Sequence, residues 1–223
     1  MTFRKFMTAV IGLVLSASPA FAKDKEPVIA APPAMSTVVD LDPTHEPENV
    51  LYLDLSNGGR VGIRLMPQWA PNHIERIKTL TAQGFYNGLI FHRVIDGFMA
   101  QTGDPTGTGT SGSPLPDLKA EFNKMPHLRG TVSMARTNDP DSANSQFFIV
   151  FYPRFALDQK YTVFGRVISG MNFVDLIERG EPPANPTRVL QASLASDNKP
   201  APAAPPSAAA PVSISDLNSS KSD

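Results

Sequence analysis

Between Asn49 and Ala195 apolar and polar residues alternate in short, regular blocks, and outside that stretch the pattern is lost. Val50–Leu55 (VLYLDL) and Arg60–Met66 (RVGIRLM) alternate with period two, as strands with one buried face do. Asn57-Gly58-Gly59 between them predicts a hairpin. In Pro71–Gly84 the period changes: Ile74, Ile77 and Leu80 recur at helical spacing, and Gly84 supplies a stop. Further strands are predicted over Phe91–Ile95, Phe98–Gln101, Gly130–Ala135, Gln146–Phe151, Tyr161–Ile168 and Arg188–Leu194. A short helix is predicted over Phe173–Arg179, with Phe173, Leu176 and Ile177 on one face. Many short strands with few helices point to a closed or sandwiched β architecture.

The flanks read differently. Arg4 and Lys5 precede a mainly apolar run, Phe6–Ala17, which is too short to span a bilayer as a helix. Ser18-Pro19 breaks the run, and Ala20-Phe21-Ala22 has the small-x-small form of a cleavage site. Residues 1–22 therefore read as a signal peptide, with Lys23 first in the mature chain. Residues 23–48 and 196–223, rich in Pro, Ala and polar residues, read as a flexible spacer and a disordered tail.

The chain has 223 residues, a formal net charge of −1 and no cysteine. Disulfides, thiolate chemistry and a lipid anchor are thereby excluded, and the charge balance gives no reason to expect nucleic acid. The histidines His45, His73, His92 and His127 have no metal-ligand spacing. Gly107–Gly112 (GTGTSG) matches a dinucleotide pattern, but Pro114 and Pro116 follow at once where a helix should open, so it reads as a mobile surface loop. Ser133 and Ser145 lack a nucleophile elbow, and Asp139 and Asp141 flank Pro140 in a turn. Neither a metal nor a cofactor is expected.

What remains is FHRVIDGFMAQTGD, Phe91–Asp104. In a strand, alternate side chains share a face, which would place Phe91, Arg93 and Ile95 together and turn His92 and Val94 away. After the Asp96-Gly97 turn, Phe98 and Met99 would return alongside. The expected site is an apolar wall with a cation at its rim and an amide, Gln101, nearby. It suits an uncharged, amide-rich ligand such as a peptide.

That segment, with TVSMARTNDPDSANSQFFI (Thr131–Ile149) and FALDQKYTVFGRV (Phe155–Val167), resembles the cyclophilins, the peptidyl-prolyl cis-trans isomerases, and most closely their bacterial secreted branch. The likeness covers residues 49–195. It implies an eight-stranded antiparallel β-barrel capped by two helices, a periplasmic location, and isomerisation of X-Pro bonds in unfolded or extracytoplasmic proteins. The family's catalytic arginine matches Arg93. Its substrate-binding residues match Phe98, Met99, Gln101, Ala135, Arg136, Gln146, Phe148, Leu157 and Tyr161, with its tryptophan falling at Phe155 or Ala156. Arg136 stands where the family has asparagine, and Tyr161 where it has histidine. The partners implied are proline-containing polypeptides, with no nucleic acid and, once the leader is cleaved, no membrane; the chain is expected to work as a monomer. Two rivals stay open at this stage: a peptide-binding chaperone module without catalysis, and a dinucleotide-dependent oxidoreductase resting on GTGTSG alone.

Overall fold

The computed structural model describes residues 36–203. Eight strands form one antiparallel sheet: β1 (Val50–Leu55), β2 (Arg60–Leu65), β3 (Arg93–Ile95), β4 (Met99–Thr102), β5 (Thr131–Met134), β6 (Phe147–Val150), β7 (Val163–Ser169) and β8 (Val189–Leu194). Their spatial order is β3-β4-β6-β5-β7-β2-β1-β8. The sheet curls until its ends meet. Phe91 N–H donates to Thr187 O at 2.9 Å and Val189 N–H to Leu89 O at 2.8 Å, so the segments leading into β3 and β8 are joined by backbone bonds. Closure of this kind removes the exposed edges of a sheet. With helices α1 (Pro71–Ala82) and α2 (Met171–Asp175), this is the barrel architecture expected from the sequence.

The interior follows from the alternation. Leu51, Leu53, Val61, Ile63, Val132, Phe147, Ile149 and Phe164 from five strands pack with Ile74, Ile77 and Leu80 of α1 in one core. Helix α1 starts at Pro71 without a capping side chain of its own. Glu121 caps it from a distant loop: its carboxylate accepts from the N–H groups of Asn72 and His73, each at 3.1 Å, and lies 2.6 Å from His73 Nδ1. A carboxylate there satisfies otherwise unpaired donors and suits the positive end of the helix.

Two expectations need correction. The second helix begins at Met171 and ends at Asp175, because Gly170, with φ 75°, opens it early. Val174 and Ile177 are buried, whereas Leu176 is exposed and not on the packed face. The described part of the expected spacer, residues 36–48, is not loose. The buried Arg64 guanidinium donates to the carbonyls of Asp40, Asp42, His45 and Glu46, and Trp69 Nε1 donates to Ser36 O at 2.8 Å. A fully buried arginine must find such partners, and this segment supplies them. At the other end, Arg60 and Gln191 hold the carbonyls of Lys199 and Pro200. The expected signal peptide at 1–22 lies outside the described residues, as does most of the tail.

Candidate active site

Strands β3, β4 and β6 lie side by side, and their register assembles the site. Arg93 is opposite Gln101, Gln101 is opposite Phe148, and Met99 is opposite Val150. Met99, Phe148 and Val150 form a buried apolar cluster apart from the main core. Ile95, Phe98, Ala135, Leu157 and Tyr161 pack against it. The Phe98 and Phe148 rings are 6.5 Å apart, and Tyr161 meets Phe148 edge-on at 5.9 Å. Above this floor opens a cavity of about 850 Å³.

Of the residues expected at the site, Arg93, Phe98, Met99, Gln101, Ala135, Arg136, Phe148, Leu157 and Tyr161 line this one cavity. Gln146 stands just behind. Its Oε1 accepts from Gln101 Nε2 at 2.8 Å, and its own Nε2 donates to Ser111 O at 2.7 Å. The Ala135 amide, a possible contact for substrate backbone, is already taken by the carbonyl of Gln146 at 2.9 Å. Phe155 is 63% exposed and does not line the cavity.

The predicted split of faces around Arg93 fails. Phe91 lies in the main core with Val94, while His92 lines the cavity beside Arg93. The strand begins only at Arg93, so residues 91 and 92 precede the alternation. His92 is 4% exposed, and among the described residues neither ring nitrogen makes a well-formed hydrogen bond, with the Gln146 side chain as a polar neighbour. Burial pushes its pKa below the ordinary imidazole value against the opposing pull of Asp104, which leaves the ring neutral near pH 7.

The GTGTSG loop also differs from expectation. Gly107, Thr108 and Gly109 form a wall of the cavity. The loop is stapled by Asp104, which accepts from Thr106 N at 2.7 Å, Thr106 Oγ1 at 2.8 Å and Ser111 N at 3.1 Å. Burial alone would raise the Asp104 pKa, but these bonds outweigh it and hold the carboxyl below its usual value. Glu181 and Pro182 complete the lining. Nothing local in the sequence marks them.

Beneath the floor lies a Ser–His–Asp arrangement. His127 Nδ1 is 2.8 Å from Asp158 Oδ1, and Nε2 is 3.1 Å from Ser133 Oγ. Its spacing resembles a hydrolytic triad. Ser133 and His127 have no exposed surface, however, and the imidazole stacks under Phe148 with centroids 6.2 Å apart. This is a brace for the floor, out of reach of any substrate. Among the described residues no group of three or more acidic or imidazole side chains is placed to hold a metal ion.

The sequence model of the cyclophilin type peptidyl-prolyl cis-trans isomerase/CLD family matches residues 50–194. A probable peptidyl-prolyl cis-trans isomerase from Brucella suis biovar 1 is 46% identical over 170 residues, covering 69% of this chain and 86% of the relative. Peptidyl-prolyl cis-trans isomerase B of Bacillus subtilis is 42% identical over 132 residues, 58% of this chain and 91% of the relative. Among solved structures, a cyclophilin from Hirschia baltica superposes with a TM-score of 0.64 at 32% identity, covering 70% of this chain and 77% of that one. A Cryptosporidium parvum cyclophilin solved in the presence of the dipeptide Ala-Pro gives 0.61 at 27% identity, covering 65% and 98%.

Proposed function

This chain belongs to the cyclophilin-type peptidyl-prolyl cis-trans isomerases, and from that premise we propose that it acts in the periplasm, on X-Pro bonds of unfolded or extracytoplasmic polypeptides. Its activity is the rotation of the X-Pro peptide bond. The observation that carries the reading is Arg93 set at the rim of an apolar slot made by Phe98, Met99, Phe148 and Leu157.

The chemistry needs no group transfer. Amide resonance sets a barrier of about 18–20 kcal/mol, and without catalysis the X-Pro bond turns over in roughly tens to hundreds of seconds. The slot takes the proline ring and holds it while the acyl side rotates. As the amide twists, its nitrogen loses conjugation and becomes a better acceptor. Arg93 lines the same cavity, and its terminal nitrogens have no protein hydrogen bond among the described residues. They are available to stabilise the twisted amide, through the imide nitrogen or the preceding carbonyl. A fixed donor aimed at the transition state is electrostatic preorganisation, and the slot adds orientation.

The location rests on the leader: two basic residues, a short apolar run and the Ala20-Phe21-Ala22 site. After cleavage we expect a monomer free of the membrane, with proline-containing polypeptides as its partners. N-terminal sequencing of protein recovered from osmotic-shock fluid tests this. Lys23 as first residue supports it; an intact leader held in the membrane fraction contradicts it.

A further inference from the structure

Among the described residues Glu181 is the single acidic side chain lining the cavity, which also holds Arg93 and Arg136. Its place is set by the barrel, not by its neighbours in sequence. Gly180 pairs with Val94 of β3 through two backbone bonds: Val94 N–H to Gly180 O at 2.8 Å and Gly180 N–H to Val94 O at 2.9 Å. Only glycine fits there, since its φ is 145° and an added Cβ would lie 2.5 Å from Pro183 Cα. This bridge sets Glu181 beside Arg93, 88 residues away in sequence, with Oε2 accepting from Arg93 Nε at 2.7 Å.

The choice of nitrogen matters. A guanidinium has five donors in a rigid plane. Binding at Nε fixes that plane and leaves the four N–H groups of the terminal nitrogens for substrate. The two side chains are 42% and 51% exposed, so the pair adds little to stability, as surface ion pairs generally do. Its effect falls on orientation and on the charge of the cavity.

Resting on the isomerase reading, we propose that Glu181 is a positioning residue for Arg93 and keeps the site from selecting acidic peptides. Glu181→Ala removes both the acceptor and the charge. Glu181→Gln keeps an acceptor for Nε and removes only the charge. The two roles therefore separate.

The test measures kcat/KM of the purified protein on three short peptides that carry Ala, Glu or Lys before proline, with thermal unfolding alongside. On the Ala-Pro peptide, Glu181→Ala is expected to lose about ten-fold, less than loss of a whole oriented donor would cost. Glu181→Gln is expected to lose about three-fold, because the amide still holds Nε. Both variants should shift the Glu-Pro to Lys-Pro ratio toward Glu-Pro by about five-fold at moderate salt. A merely structural role would lower the melting temperature and leave that ratio alone. Should Glu181→Ala melt early, Glu181→Gln decides the question through the ratio. Normal turnover by the unaltered protein, with both variants matching it in rate and ratio, would overturn the inference and leave the isomerase reading intact. No turnover by the unaltered protein on any of the peptides would contradict that reading itself, and this inference with it.

Discussion

The guanidinium of Arg136 lies over the ring of Tyr161, 4.4 Å from its centroid, and bridges two loops at the cavity mouth. It donates to Thr137 O at 2.7 Å on its own loop and to Lys160 O at 2.8 Å on the other. Arg136 and Tyr161, both read in the sequence as departures from the resemblance, are thus in direct contact. A cation over a partly exposed aromatic ring contributes about 0.5–1 kcal/mol. A double-mutant cycle on Arg136→Ala and Tyr161→Ala, read by urea unfolding, should show coupling of that size, about 0.5–1 kcal/mol. Strict additivity would show that the two act independently. Arg136→Ala should also raise KM more than it lowers kcat, because the loops it ties shape the binding surface.

Asp104 governs the Gly107–Gly109 wall. Its Thr106 and Ser111 bonds hold the Gly107–Gly109 segment against the cavity. Asp104→Ala leaves the donors of Thr106 and Ser111 to water and loosens that wall. We expect KM for X-Pro peptides to rise several-fold, with kcat changed less. Limited proteolysis should find new cleavage between residues 105 and 111. An unchanged KM with a protease-resistant loop would contradict this role.

Arg64 ties the segment before β1 to the barrel. Removing a buried charged group that makes several hydrogen bonds costs about 2–4 kcal/mol, from the lost charged bonds and the cavity left behind. Arg64→Ala should lower the denaturation midpoint accordingly and open residues 36–48 to proteases. Isomerase activity at low temperature should survive, since none of these groups reaches the site. Unchanged protection of 36–48 would show that the segment is held by other means.

Three buried histidines set an acid limit on stability. Burial lowers the pKa of His73, His92 and His127, and the carboxylates Glu121, Asp104 and Asp158 that pull the other way only partly offset it. The unfolded chain takes up these protons near pH 6.5, and the native state only at lower pH. Stability is therefore full above about pH 6.5 and falls as the pH drops toward the native values, by up to about 1.4 kcal/mol per pH unit for each histidine. The carboxylates with lowered pKa values, Asp104, Glu121 and Asp175 among them, add their loss only nearer pH 4. Urea unfolding at pH 7.5 and 5.5 should give a lower midpoint at 5.5. A midpoint equal or higher at pH 5.5 would contradict the assignment.

Much of this was legible in the chain because it is written locally. The β1–β2 hairpin announces itself through Asn57-Gly58-Gly59, and α1 through Ile74, Ile77 and Leu80 at helical spacing. The floor residues Phe98, Met99, Phe148 and Leu157 are legible through the family resemblance and not through periodicity, which marks them only as apolar. The features that escaped depend on contacts between distant segments. His92 escapes because strand alternation begins only at Arg93 and does not govern the two residues before it. Glu181 reaches Arg93 only through the Gly180–Val94 bridge, which no window of sequence contains. The docking of residues 36–48 was hidden because a Pro-rich, aperiodic segment reads as loose, while the buried Arg64 that secures it lies on β2.

The central claim is that an oriented guanidinium at Arg93 lowers the barrier to X-Pro rotation. The direct measurement is kcat/KM on an X-Pro peptide in a protease-coupled assay, comparing the unaltered protein with Arg93→Ala and Arg93→Lys, with circular dichroism to confirm the fold. Arg93→Ala should lose about 10²–10³-fold while staying folded, the scale for removing one preorganised donor. Arg93→Lys should also be impaired, because an ammonium lacks the planar fork. Folded variants that turn over X-Pro peptides at the parent rate would contradict the account.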